Sequence, residues 1–304
     1  MPYPSHVELV EVSPRDGLQN IARAIPTGTK LELIRRLADA GLTRIEVAAF
    51  VSPQWVPQMA DADAVVRGLQ PRPGIRYPVL VPNLKGFDAA MEAGASEIAI
   101  FTAASETFSR KNTNASIAES LKRLQPVVAA AQALDVPVRG YVSCVAGCPY
   151  EGSVAPATVA AVTRELIQMG CYEVSLGDTT GVGTPGSIVP MLEACLAHVP
   201  AGRLAGHYHD TRGMAIANIY ASLQLGLQVF DTAVAGLGGC PYAPGAAGNV
   251  ATEDVLYLLQ GLGVKTGVDM DKLLAAGDFI SAQLGRNNSS SVASSRTARS
   301  MSCQ

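Results

Sequence analysis

Little in this chain points to a fold held by cross-links. Its 304 residues contain six cysteines, too sparse for a disulfide framework, and these never form two closely spaced pairs of the kind a four-thiolate zinc site needs. Reduced thiols are the expectation. Cys144 and Cys148, in C-V-A-G-C, are the nearest pair and read as small buried hydrophobes. An excess of either charge is also missing: 23 Lys and Arg stand against 26 Asp and Glu, a formal net charge of -3. No Lys/Arg-rich run offers a footprint for a phosphate backbone or an anionic lipid surface, so nucleic acid is not an expected partner. No apolar stretch reaches the ~20 uncharged residues of a membrane helix. The first residues, with Pro2, Pro4 and Glu8, lack the basic flank and apolar stretch of a signal peptide. A soluble cytoplasmic protein without a membrane partner is therefore expected.

What the chain does have is apolar material, 48% of its residues, enough for one large core. Short β-branched runs alternate with longer Ala/Leu-rich segments of helical spacing, the pattern of a parallel sheet with crossover helices. Strands are predicted at 7–12, 44–48, 77–81, 97–101, 138–143, 173–176, 204–209 and 229–235. Helix candidates between them include 29–40, 84–93, 117–133, 156–169, 187–198 and 214–225; 252–262 is read as the eighth, with a further one at 270–284. Eight strand-then-helix repeats within ~250 residues predict an α/β protein of the closed (β/α)8 barrel type. A doubly wound open sheet would carry a glycine-rich phosphate loop after its first strand; here Pro14-Arg15-Asp16-Gly17 follows instead. Residues 285–304 are polar and serine-rich, and cannot bury enough apolar surface to offset the entropy of ordering. The expected organisation is one barrel domain with a C-terminal helical extension, 1–284, and a flexible polar tail, 285–304.

In such a barrel the chemistry sits at the carboxyl ends of the strands, and polar residues cluster there. Arg15 and Asp16 follow the first strand, Glu46 lies in the second, Asp178 follows the sixth, and His207 and His209 end the seventh. A glycine-rich loop after the eighth strand, G-L-G-G-C-P-Y-A-P-G-A-A-G-N, carries Cys240 and Asn249. The spacing in H-Y-H-D puts both imidazoles on one face of a strand, because side chains alternate with period two. With Asp16 and the amide oxygen of Asn249, two nitrogens meet hard oxygens and no thiolate. That donor set suits six-coordinate Mg2+ or Mn2+, with zinc as the alternative. Arg15 can hold a carboxylate or stabilise an enolate oxygen; a structural Arg15–Asp16 pair is the competing reading, weakened because adjacent side chains generally diverge. Asp178 alone says little more than a capping residue would. Cys240 is the reactive side chain of the glycine loop, near a metal and an arginine, where thiolate formation and acid–base work are favoured.

Four segments together exceed what spacing can say: E-V-S-P-R-D-G-L-Q-N at 11–20, F-V-S-P-Q-W-V-P-Q-M at 50–59, R-G-Y-V-S-C-V-A-G-C-P-Y-E-G at 139–152 and V-A-G-L-G-G-C-P-Y-A-P-G-A-A-G-N-V-A-T-E-D at 234–254. They resemble the 3-hydroxy-3-methylglutaryl-CoA lyase family, from about Val7 to Leu284. The resemblance implies metal ligation by Asp16, His207 and His209 with Asn249 as a further ligand. It implies Arg15 as electrostatic stabiliser, Cys240 as an acid–base residue, and supporting roles for Glu11, Gln19, Glu46, Asp178 and Glu253, with Ser175 and Thr179 near the acyl group. It also implies an acyl-CoA substrate and, as an expectation, a homo-oligomer, dimer or tetramer. Departures cluster: Ala48, Ala49 and Ala233 stand where the family commonly has hydroxyls, and Arg212 and Met214 replace Tyr and Gln. The lost hydroxyls are read as space for a 3-substituent larger than methyl.

The expected reaction is retro-Claisen cleavage to acetyl-CoA and acetoacetate, as in leucine degradation and ketone-body formation, with His207, Asp178 or a water as base. Two rivals are a condensing acyltransferase of the isopropylmalate or homocitrate synthase kind, and a non-catalytic barrel that binds acyl-CoA. The first is disfavoured by the short stretch after the eighth helix and by the G-G-C-P-Y loop, the second by retention of every expected ligand. A Schiff-base aldolase would need a lysine in a strand, and none of the eight predicted strands contains one.

Overall fold

The computed structural model describes residues 3–239 and 248–302. Strand β1 (Glu8–Glu11) pairs in parallel with β2, which is formed of two pieces, Arg44–Ile45 and Ala48–Ala49. The second piece pairs with β3 (Val79–Leu80), and β4 (Ile98–Ala103), β5 (Val138–Ser143), β6 (Glu173–Asp178), β7 (Leu204–Tyr208) and β8 (Val229–Thr232) follow in order. β8 returns to β1, Glu8 opposite Val229, so the nine strand pieces make eight parallel strands in a closed ring. The strands are short and apolar because helices cover their outer side: in I-A-I-F-T-A of β4 all residues but Phe101 are buried.

The helices start and stop where local chemistry says they should. Asn83 accepts the Gly86 N–H to open α3 (Leu84–Ala93), and Gly94, at φ 95°, closes it. Ser116 and Glu119 form a reciprocal capping box at the start of α5 (Ile117–Ala133). Proline occupies the first turn of α6 (Pro156–Met169) and of α7 (Pro185–Leu196). With α1 (Thr27–Asp39), α8 (Ala215–Gln224), α9 (Thr252–Gly261) and α10 (Met270–Leu284), these match the predicted periodic segments to within a few residues. Short helices α2 (Ala62–Gly68) and α4 (Glu106–Thr113) lack enough turns for a periodic signal and were not expected. No helix among the described residues is long and apolar enough to cross a membrane.

The segment from 285 on differs from the flexible tail predicted for it. It enters a further helix, α11 (Ser291–Ser302), which packs on α9. Asp254 of α9 accepts the N–H groups of Ser291 (3.0 Å) and Val292 (2.9 Å), Ser290 accepts that of Ala293 (3.1 Å), and Ser290 and Ala293 are buried. Serines that looked like solvated linker supply the cap, and an aspartate outside the segment completes it.

The barrel interior holds charge as well as hydrocarbon. Arg139, fully buried, donates to Glu173 (2.7 Å), to Asp231 (2.7 Å) and to the Tyr141 hydroxyl (2.8 Å). Glu173 also accepts from Arg44 (2.6 Å), which reaches Glu8 at the amino-terminal mouth. A column of alternating sign thus runs from one mouth of the barrel to Asp231, just below the other. Burying so many charges is tolerable only because each has a partner.

Candidate active site

The chain leaves β1 through one π-helical turn, Ser13–Gly17, in which the Val12 carbonyl accepts the N–H groups of Arg15 (3.2 Å), Asp16 (2.8 Å) and Gly17 (3.1 Å). This tight turn aims two adjacent side chains into the mouth. A Cβ at position 17 would stand 2.8 Å from the Leu237 Cβ, so glycine lets the loops after β1 and β8 touch. Arg15 and Asp16 do pair, Nη1 to Oδ1 at 2.7 Å; adjacency is no obstacle within a π-turn. The Nε of Arg15 donates to Glu46, which also accepts from the Tyr141 hydroxyl (2.6 Å).

His207, on β7, and His209, just beyond its end, project into the same mouth. Donor atoms of Asp16, His207 and His209 all lie within 4.8 Å of one another. The Nδ1 of His207 bonds Asp231 Oδ2 (3.1 Å), leaving Nε2 for the mouth. Burial alone would lower the His207 pKa, but the hydrogen bond and charge of Asp231 overrule it and raise it. His209 goes the other way, to about 4, through burial and then the neighbouring His207. Its Nδ1 is buried without a hydrogen-bond partner among the described residues. Burial would raise Asp16, yet Arg15 and then the two histidines hold it below the usual range. A buried orphan nitrogen beside an ionised carboxylate and an oriented imidazole is the donor set of a divalent metal ion.

A cavity of about 280 Å³ opens above these groups. Arg15, Asp16, Gln19, Thr179, His207 and His209 form its polar side, and Val51, Val56, Leu80, Phe101 and Phe108 its apolar flank. Gln19 and Thr179, expected near the acyl group, are both on this wall. Several other candidates do not reach the cavity. Ser175 is fully buried and donates to Asp231 (2.7 Å). Asp178 is buried, accepts the N–H of Val182 (3.2 Å) and Gly183 (2.8 Å), and has its pKa raised by burial; it shapes the loop after β6.

Glu11 accepts from Ser13 N (3.1 Å), Val234 N (2.9 Å) and Thr252 Oγ1 (2.7 Å), tying the loops after β1 and β8 together, with its pKa raised by burial. Glu253 accepts the Ala235 N–H with both oxygens (3.0 and 2.9 Å), and burial pushes its carboxyl up to about 8. Asn249 donates its amide N–H groups to Asp16 Oδ2 (2.7 Å) and to the Leu237 carbonyl (3.1 Å), so in this geometry it orients Asp16. Cys240 and Cys303 lie outside the described residues; Gly239, at the threshold of the glycine loop, lines the cavity. Cys144 and Cys148 are buried and free, as expected.

The alanines lead to a different conclusion from the one their composition suggested. Ala48, Ala49 and Ala233 are all buried in the hydrophobic core. In this geometry none of the three forms a wall of the cavity. Arg212 bridges loops at the rim, donating to the carbonyls of Thr180 (3.0 Å) and Gly181 (3.1 Å). Met214 is partly exposed beyond it.

Asp231 and Arg139 are the site residues that sequence reasoning missed. The available signal was a charge inside a predicted strand, in V-F-D-T and V-R-G-Y, where an unpaired one would be costly. Asp231→Asn is expected to weaken metal binding by ~10–100-fold, the usual effect of losing the partner behind a ligating imidazole. Titrating the metal-free variant with Mn2+ checks this, and unchanged affinity would remove Asp231 from the site.

These observations have counterparts in known proteins. The family model described as HMGL-like matches residues 6–280. The chain is 61% identical over 290 residues to the mitochondrial hydroxymethylglutaryl-CoA lyase of Arabidopsis thaliana, covering 95% of this chain and 62% of that longer protein. It is 58% identical over 290 residues to the cytoplasmic 3-hydroxy-3-methylglutaryl-CoA lyase of Mus musculus, covering 95% and 84%. The crystal structure of hydroxymethylglutaryl-CoA lyase from Pseudomonas aeruginosa superposes with a TM-score of 0.96 at 58% identity, covering 98% of this chain and all of that one. With a closed parallel barrel, an Asp/His/His cluster at its carboxyl mouth and these relatives, the chain belongs to the hydroxymethylglutaryl-CoA lyase family.

Proposed function

We propose that the chain is a metal-dependent carbon–carbon lyase that cleaves 3-hydroxy-3-methylglutaryl-CoA to acetyl-CoA and acetoacetate. The observation that carries this reading is the convergence of Asp16, His207 and His209 with Arg15 on one cavity. Those three residues would hold the divalent ion, with Mg2+ or Mn2+ favoured by the oxygen donors, and Asn249, which orients Asp16, would be a further ligand. A divalent ion held there would supply Lewis-acid stabilisation to the substrate's tertiary hydroxyl as it ionises.

The protein's own groups supply the rest. Glu46 and Asp16 fix the Arg15 guanidinium by its Nε and Nη1. Its Nη2 edge then faces the oxygen that gains charge as the two-carbon thioester departs as an enolate. Gln19 and Thr179 bind the acyl group, and the apolar flank keeps water from the enolate. A thiol at Cys240 delivers the proton that completes acetyl-CoA. Asp231 keeps His207 in one tautomer and leaves only Nε2 for the metal, so the base for the hydroxyl is a water. Asp178, Glu11 and Glu253 act through the loops they hold. A homo-oligomer in the cytoplasm completes the reading; the relatives carry both mitochondrial and cytoplasmic names.

With the three alanines in the core, the methyl compound is the expected substrate. Purified protein should be given 3-hydroxyglutaryl thioesters with hydrogen, methyl or larger 3-substituents, while acetyl-CoA and the matching keto acid are followed. Stoichiometric acetyl-CoA and acetoacetate, fastest from the methyl compound, is the expected result. No release from that compound in the presence of Mg2+ or Mn2+ would overturn the assignment, and faster cleavage of a larger homologue would move the substrate.

A further inference from the structure

We propose that Asn288 and Ser289, beyond the last barrel helix, are positioning residues for the cleavage reaction: they brace the turn after β8 that carries one wall of the cavity. The proposal rests on the lyase reading above.

The turn needs bracing. Ala235 has φ 57°, in the left-handed region that a residue with a Cβ seldom occupies, and Gly236 follows at φ 58°. Such a conformation persists only where its surroundings hold it. Here both ends of the Ala235 residue are held. Its N–H is shared by the two carboxyl oxygens of Glu253 (3.0 and 2.9 Å), and its carbonyl accepts from Ser289 Oγ (2.5 Å). Asn288 Nδ2 in turn donates to Glu253 Oε1 (3.2 Å) and to Asp278 Oδ1 (3.3 Å).

Helix α10 makes room for this contact. A Cβ on Gly277 would stand 2.5 Å from Asn288 Nδ2 and 2.6 Å from Glu253 Oε1. Glycine at that helical position, otherwise costly, is what lets the amide meet the carboxyl. The consequence of the turn lies on its far side. Leu237 offers its carbonyl to the Asn249 amide (3.1 Å), the same amide donates to Asp16 (2.7 Å), and Gly239 lines the cavity. A segment that looks like the start of a tail is therefore linked by hydrogen bonds, through Ala235 and Asn249, to a metal ligand.

The test compares Asn288→Ala, Ser289→Ala, their double variant and Gly277→Ala with Ser295→Ala, whose hydroxyl donates to Val292 on the exposed face of α11. Each positioning variant should lower kcat by about tenfold, the size of one positioned hydrogen bond, with KM changed less, and Ser289→Thr should restore it. Two readouts do not need turnover: Mn2+ affinity should fall in the same variants, and amide exchange should quicken at residues 235–239 of the metal-free protein. Ser295→Ala should match the parent in all of them. Lower thermal stability with kcat, Mn2+ affinity and exchange at 235–239 unchanged would overturn the proposal, leaving the segment as packing alone. If the parent protein cleaves no 3-hydroxyglutaryl thioester, it is the lyase reading that fails; the Mn2+ and exchange measurements still decide the brace.

Discussion

His207→Ala and His209→Ala are each expected to lower divalent-metal affinity by more than ~100-fold, beyond the ~10–100-fold typical of groups that only support a ligand, and to reduce turnover to background at micromolar metal. The site has few protein ligands, so either loss removes a large share of the binding energy. The two variants should differ in their side effects. His207→Ala takes away the hydrogen bond to Asp231 and leaves Arg139 as that carboxylate's remaining ion-pair partner among the described residues, whereas His209 has no such bond at Nδ1 to lose. Thermal stability of the metal-free protein should therefore fall more for His207→Ala. Equilibrium Mn2+ binding followed by electron paramagnetic resonance, alongside turnover, provides the measurement. Full activity in excess chelator, after demonstrated metal removal, would sink the metal assignment.

Arg15→Met is expected to cost ~10²–10³ in kcat, the range for removing a donor aimed at a developing negative charge. The structure adds a complication that must be controlled. Arg15 neutralises Glu46, which is fully buried, and its loss strands that carboxylate at a cost of about 3–5 kcal/mol of stability. Glu46→Gln in the same chain removes the stranded charge while keeping an acceptor for Tyr141. The double variant should therefore recover thermal stability without recovering turnover. If kcat returns with stability, Arg15 is structural; if only KM rises in the single variant, it anchors the ground state instead.

The ligand triad was readable before any coordinates because each of its parts is local. Period-two spacing puts His207 and His209 on one face, and Asp16 lies in the turn that leaves the first strand. The same logic recovered α3, α5, α6 and α10, whose caps and apolar stripes lie within the segments themselves. What was hidden depends on distant partners. Asp231 and Arg139 are 92 residues apart, and each in isolation looks like an unfavourable charge in a strand. Helix α11 takes its cap from Asp254, 37 residues before it. The alanines at 48, 49 and 233 were misjudged for a related reason: residue type shows that a side chain is small, but only the closed barrel decides whether it faces the substrate or the packing around it.

Closure of the ring has a consequence in time. Glu11 on β1 bonds the Val234 N–H across 223 residues and Thr252 across 241, so the contacts that seal the barrel join the first and last parts of the sheet. During synthesis β1 emerges long before β8 exists and must wait with an unpaired edge. Loop-closure entropy makes such distant pairings late events. Local βα units are expected to gather first, and the seam between β1 and β8 last. Since Asp16 follows β1, His207 lies on β7 and Asn249 lies beyond β8, the metal site is born with that seam. Metal added during refolding should therefore leave the early collapse unchanged and stabilise only the final species, while a nascent chain stalled before β8 has no site to fill.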